Sequence, residues 1–275
     1  MTSKRKASAN DTVVPAESEN KQSSRKGTFR KVSIKVALII LIMFFGGIAL
    51  FTTVAVMANA NSLRASRTEY NFLREKASDI ESEFGEFSVE NLGALDIEMR
   101  AINPDYVCWI RVDGTNVDYP VVRGANNDQY LKKSFQGEDS IVGTVFMDYR
   151  NSGNFVDKYS EDFMPHIIIY GHNLQQGGMF SDLRSLLSRQ ITEEGKFISL
   201  FINDQMLIFE IFSVRLTDVN DPAYYLNFSE PRYFGRFANS VDAPLEATQI
   251  ITLSTCVKGG SDDNRLIVQG YRLFD

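Results

Sequence analysis

Cysteine and histidine are scarce here: two of each in 275 residues, beside a single tryptophan and seven prolines. No CxxC pair is present, nor any Cys/His cluster with metal-ligand spacing, so no structural zinc site, metal or other cofactor is expected. Two cysteines allow at most one disulfide, Cys108–Cys256; the alternative is a reactive thiol. No internal repeat is visible, and no low-complexity tract outside the N-terminal tail. Charge is absent from Val36 to Met57, 22 residues long. That length fits a bilayer-spanning helix and exceeds the h-region of most signal peptides, although Ala58-Asn59-Ala60 has the small-x-small form of a cleavage site.

The net charge of −6 is unevenly spread. Residues 1–35 carry nine Lys/Arg against three acids, which leaves −12 on the remainder. An acidic body argues against nucleic-acid binding. The basic arm beside the apolar run predicts a cytoplasmic N-terminus and an extracellular C-terminal part, anchored by one membrane pass. Four segments follow: a disordered basic tail (1–35), an anchor (36–57), a helical linker (58–104) and a catalytic body (105–275). In the linker, Tyr70, Leu73, Ile80 and Phe84 recur at mixed three- and four-residue spacings. Leu92, Leu95, Met99 and Ile102 suggest a second helix that ends before Pro104.

From Tyr106 the apolar period becomes two. Strands are expected at Tyr106–Val112, Asn116–Val122, Thr144–Asp148, His166–Tyr170, Phe197–Ile202, Met206–Leu216, Ile250–Ser254 and Leu266–Phe274. Short helices are expected at Met179–Ser188 and at Pro231–Val241, the latter inside a long connection from about Thr217 to Thr248. Eight short strands with few helices between them favour a closed barrel or a sandwich over a parallel α/β sheet.

Three residues suggest acyl-transfer chemistry. Cys256 ends an apolar run and is followed by a loop containing Gly259 and Gly260, after which Arg265 opens the next strand. His172 stands just past a buried run, beside Gly171 and Asn173. A thiolate attacks, and a neighbouring cation favours that form. Histidine returns a proton to a leaving amine. A guanidinium keeps its protons and serves as a donor to an oxyanion or carbonyl. His166, which opens its strand after Pro165, reads as structural, and Cys108, in YVCWIRV, as core.

With those residues in view, the chain resembles the sortases, class B most closely, which are membrane-anchored cysteine transpeptidases. TLSTC (Thr252–Cys256) looks like the active-site motif, and Arg265 matches the arginine that follows it. IIIYGHN with GGMFSDL (Ile167–Leu183) looks like the histidine segment. WIRVDGTNVDYPVV (Trp109–Val122) and GTVFMDYRN (Gly143–Asn151) are similar to other class B stretches. The resemblance implies a mainly β fold with peripheral helices: an eight-stranded sortase-type barrel after N-terminal helices and one transmembrane helix. It also implies cleavage of a C-terminal sorting signal after Thr through a thioacyl intermediate, then transfer to an amine of a cell-wall precursor of the lipid II type. Cys256 would be the nucleophile, His172 the acid/base and Arg265 the clamp. Ser254 and Thr255 would add donors, and Tyr224 and Tyr225 would line the substrate groove. A pilin lysine as acceptor, or a tethered binding domain without turnover, are the alternatives.

Overall fold

The computed structural model describes residues 33–84, 89–174, 177–188, 196–228, 230–257 and 263–274. Residues 1–32 of the basic tail and the Gly259–Gly260 loop expected above lie outside them, while Ile34 and Lys35 already belong to the first helix. The chain divides into two compact units, Met1–Thr52 and Thr53–Asp275. In the first unit the described residues are the apolar start of helix α1 (Ile34–Phe84), which also runs through Ala58-Asn59-Ala60. Among the described residues it is the one helix long and apolar enough to cross a membrane.

The second unit is a closed eight-stranded barrel. Its strands are β1 (Tyr106–Val112), β2 (Asp118–Val122), β3 (Phe146–Met147), β4 (His166–Tyr170), β5 (Phe197–Ile202), β6 (Gln205–Asp218), β7 (Ile250–Cys256) and β8 (Asn264–Leu273), in the spatial order β1-β2-β3-β4-β7-β8-β6-β5. Closure pairs every strand on both sides, although the second half of β6 has a ladder partner only in β8. β2/β3 and β4/β7 run parallel; the remaining pairs are antiparallel. Trp109, Phe135, Phe180, Phe209 and Ile167 fill the core. Trp109 satisfies its indole N–H on Asp118 Oδ1 at 2.7 Å.

Two helices pack on the barrel at the start of this unit. Tyr70, Leu73 and Ala77 of α1 are buried, and so are Leu95 and Met99 of α2 (Val89–Ile102). Of the expected stripes, Tyr70, Leu73, Leu95 and Met99 are buried and Ile80 and Ile102 partly so, while the Phe84 and Leu92 side chains lie outside the described residues. The Tyr70 hydroxyl donates to the Gly143 carbonyl at 3.0 Å. A third helix, α3 (Pro231–Ser240), covers the outer face of β7 and β8. Phe237 and Val241 pack there with Ile250 and Ile267, while Ile251 and Leu253 face the main core. β7 is therefore buried on both faces up to Thr255, and its polar Thr252 and Ser254 are buried along with its apolar residues.

His166 sits between those two layers and is fully buried. It does not reach solvent. Its Nδ1 lies 2.8 Å from the Tyr225 carbonyl and its Nε2 2.9 Å from Thr252 Oγ1. A carbonyl only accepts, so Nδ1 carries the hydrogen and Nε2 accepts from the threonine hydroxyl. Burial pulls the imidazole pKa down to about 4, opposed in part by the Tyr225 carbonyl bond. The folded state thus binds fewer protons than the unfolded chain between the unfolded value near 6.5 and pH 4. Stability from this group is present above that window and lost as pH falls through it, by roughly 3 kcal/mol at most. The melting temperature should fall from pH 7 to pH 4.5, and the gap between wild type and His166→Gln should narrow on the same descent. A gap that stays constant with pH would contradict the buried neutral ring.

Candidate active site

The site follows from strand order. β4 and β7 are parallel neighbours with Tyr170 opposite Ser254. Two residues further along each chain stand His172 and Cys256. β8 returns antiparallel on the other side of β7, with Arg265 opposite Cys256. Neighbouring strands are about 4.8 Å apart. Imidazole, thiol and guanidinium thus arise from three adjacent chain segments at one end of the barrel, the thiol in the middle. All three line one cleft of about 400 Å³, together with Tyr224, Ser254 and Thr255.

Cys256 is exposed at the end of an otherwise buried strand and is a free thiol. Cys108 is free and fully buried in β1, where burial pushes its thiol pKa well up. The two do not pair. His172 lies beyond the end of β4, with its Nε2 2.8 Å from the Leu131 carbonyl. As in His166, the carbonyl can only accept, so Nε2 holds the hydrogen and Nδ1 is the ring nitrogen left for proton transfer. The orienting partner is a backbone oxygen, where catalytic sites with a similar need often use a carboxylate.

Gly143 makes that contact possible. Its φ is +64°, a region side chains disfavour, and an added Cβ would lie 2.7 Å from the Leu131 oxygen and 2.9 Å from His172 Cδ2. Asn173 ties the histidine segment to the cysteine strand, its Nδ2 donating to the Cys256 carbonyl at 2.7 Å. Arg265 Nη1 donates to the Asn264 carbonyl at 3.0 Å.

The Tyr224 hydroxyl is 2.8 Å from Ser254 Oγ. Burial raises the Tyr224 pKa, the Ser254 bond and Arg265 oppose this, and Cys256 adds to it, so tyrosine, cysteine and arginine share one electrostatic environment. Thr255 Oγ1 is buried with no hydrogen-bond partner among the described residues. Tyr225 is placed elsewhere: it lines a separate depression with Pro222, Tyr233 and Phe237.

Sequence reasoning had not assigned the Leu131 carbonyl, Asn173, Asn127 or Tyr170, the last two of which also line the cleft. Asn173 and Tyr170 flank His172 in the YGHN run, which was the available signal. A backbone carbonyl leaves no trace in residue type.

The chain is similar to known proteins. The Sortase domain family model matches residues 110–273. Sortase B of Listeria monocytogenes is 31% identical over 185 residues, which is 63% of this chain and 72% of the relative. The structure of Clostridium perfringens sortase B superposes with a TM-score of 0.56 at 28% identity, covering 65% of this chain and 99% of the other. A Staphylococcus aureus sortase B–substrate complex gives 0.63 at 25% identity, covering 76% and 97%. A Sortase domain match over residues 110–273, in a chain that folds as a closed eight-stranded barrel like those of the sortase B structures, means that the chain belongs to the sortase family of cysteine transpeptidases, with sortase B among its relatives.

Proposed function

We propose that this transpeptidase cleaves a C-terminal sorting signal after Thr and passes the acyl group to an amine of a cell-wall precursor of the lipid II type. Cys256 gives its thiol proton to His172 Nδ1, the thiolate attacks the threonine carbonyl carbon, and Arg265 donates to the oxygen as it gains charge. The C–N bond breaks as His172 gives a proton to the leaving amine. A thioester remains on Cys256. The acceptor amine attacks that carbonyl and loses a proton to His172, and the thiolate departs. Tyr224, Ser254 and Thr255 contact the peptide near the nucleophile. Residues 36–57 anchor the enzyme, with residues 1–35 cytoplasmic and residues 105–275 acting outside the membrane; residues 58–104 connect the two.

The observation that carries this reading is the β4-β7-β8 pairing, which sets an exposed thiol between a histidine and an arginine at one cleft. A solved Staphylococcus aureus sortase B–substrate complex supports reading this fold as one that holds a substrate. The test is a screen of the full chain in detergent against peptides carrying Thr-Gly or Thr-Asn junctions, with a cell-wall pentapeptide amine and a lysine side-chain amine as competing acceptors. Mass spectrometry should show cleavage after Thr and transfer to the cell-wall amine. Cleavage at another bond, or transfer to lysine alone, would replace the proposed donor or acceptor.

A further inference from the structure

Behind the cleft wall lies a carboxylate that the reaction does not use. Asp148 follows β3 and its side chain is wholly buried. Arg150 neutralises it, with Nε 2.8 Å from Oδ1 and Nη2 2.8 Å from Oδ2. Oδ2 also accepts from Asn127 Nδ2 at 3.0 Å and from the Tyr170 hydroxyl at 2.9 Å. Both of those residues line the cleft. They come from different parts of the fold, one from the loop after β2 and one from the end of β4, and Asp148 is the group that joins them.

We infer that Asp148 is a positioning residue that presets the peptide-binding wall by fixing Asn127 and Tyr170 from inside. The Asn127 amide is oriented at both ends. Its Oδ1 accepts from the Tyr149 N–H at 3.0 Å while one Nδ2 hydrogen goes to Asp148. The amide therefore does not flip, and its second N–H has no partner among the described residues. It is a fixed donor for the carbonyl of an extended peptide. Tyr170 spends its only hydroxyl hydrogen on Asp148, which holds its ring against Phe146 at 5.2 Å between centroids. A preset wall binds without first ordering two side chains, and that ordering is a general cost of association. A buried charge with this many donors tolerates no loss of charge without rearrangement of its partners.

This inference rests on the peptide reading of the cleft, and the test separates the two. Asp148→Asn keeps the volume but replaces an acceptor oxygen with a donor. KM for the best-cleaved peptide should rise about tenfold with kcat within about twofold, the pattern expected when binding common to ground and transition states is lost. The double variant Asn127→Ala/Asp148→Asn should raise KM by less than the product of the two single effects, because the aspartate acts in part through the amide and in part through Tyr170. Independently of any substrate, the two side-chain amide protons of Asn127 should resonate well apart by NMR in the wild type, where one is bonded to Asp148, and should move closer together in Asp148→Asn. Unmoved amide signals, or a lowered melting temperature with KM unchanged, would overturn the inference. Moved signals in an enzyme that turns over no peptide would instead overturn the reading of the cleft. Should Asp148→Asn fail to fold, Tyr170→Phe removes one spoke of the same network; an unchanged KM there would count against the proposal.

Discussion

Cys256→Ala is expected to reduce peptide cleavage to the floor of the assay. Loss of the nucleophile in an enzyme that works by acyl transfer costs on the order of 10⁶ in kcat, because the remaining groups act only in concert with it. The structure makes this a clean test. Cys256 is exposed at a strand end, so its truncation should leave stability within about 0.5 kcal/mol of wild type. Cys108 cannot substitute, since it is fully buried in β1. Two measurements check the expectation: peptide turnover by mass spectrometry, and capture of a thioester-linked peptide on the intact enzyme. Undiminished turnover by a folded Cys256→Ala protein would remove the thiol from the mechanism.

The second large effect is expected at His172. His172→Ala should lower cleavage of the amide substrate by about 10²–10⁴-fold, the usual range for a positioned acid/base. An amide nitrogen departs only when protonated, whereas an activated ester leaves as a stable anion. The same variant should therefore retain far more of its acylation rate on a p-nitrophenyl ester of the same acyl group. Parallel losses on both substrates would assign His172 a structural role instead. The ring's fixed tautomer sharpens the expectation. With Nε2 committed to Leu131, proton transfer falls to Nδ1, and exogenous imidazole filling the vacated space should restore part of the amide activity.

Much of the barrel was legible because its strands alternate between distinct turn signals. β1, β4 and β5 begin and end where the two-residue period does. Departures have local causes. β2 starts at Asp118 rather than Asn116, since the Asn116 N–H is taken by Asp182 at 3.0 Å. The helix expected from Met179 starts instead at Ser181, as a 3-10 helix, because Met179 has φ +50°. β6 runs on to Asp218 because β8 supplies a ladder partner for two polar residues, Thr217 opposite Arg265 and Asp218 opposite Asn264. β3 shrinks to two residues.

The chemical types at the site were legible too, but their adjacency was not. His172 and Cys256 meet through a parallel pairing, and such a register depends on the crossover connection rather than on either strand's own pattern. Tyr224 and Tyr225 are consecutive, yet the first stands in the cleft and the second outside it. The 3-10 turn Pro222–Tyr224, capped by Asp221 at the Ala223 N–H, ends between them.

The parallel contact between β4 and β7 has a consequence for when the enzyme comes into being. Its two strands are separated by the whole of β5, β6 and the α3 connection, so the pair forms only after a long loop has closed, which makes it a slow, late event in folding. Arg265 arrives later still in chain order, on the strand that seals the barrel against β6. Thiol, imidazole and guanidinium come together only when β4, β7 and β8 are all paired. Peptide turnover is therefore expected to appear only once β8 has docked on β7, later than the burial of the core that the earlier strands build.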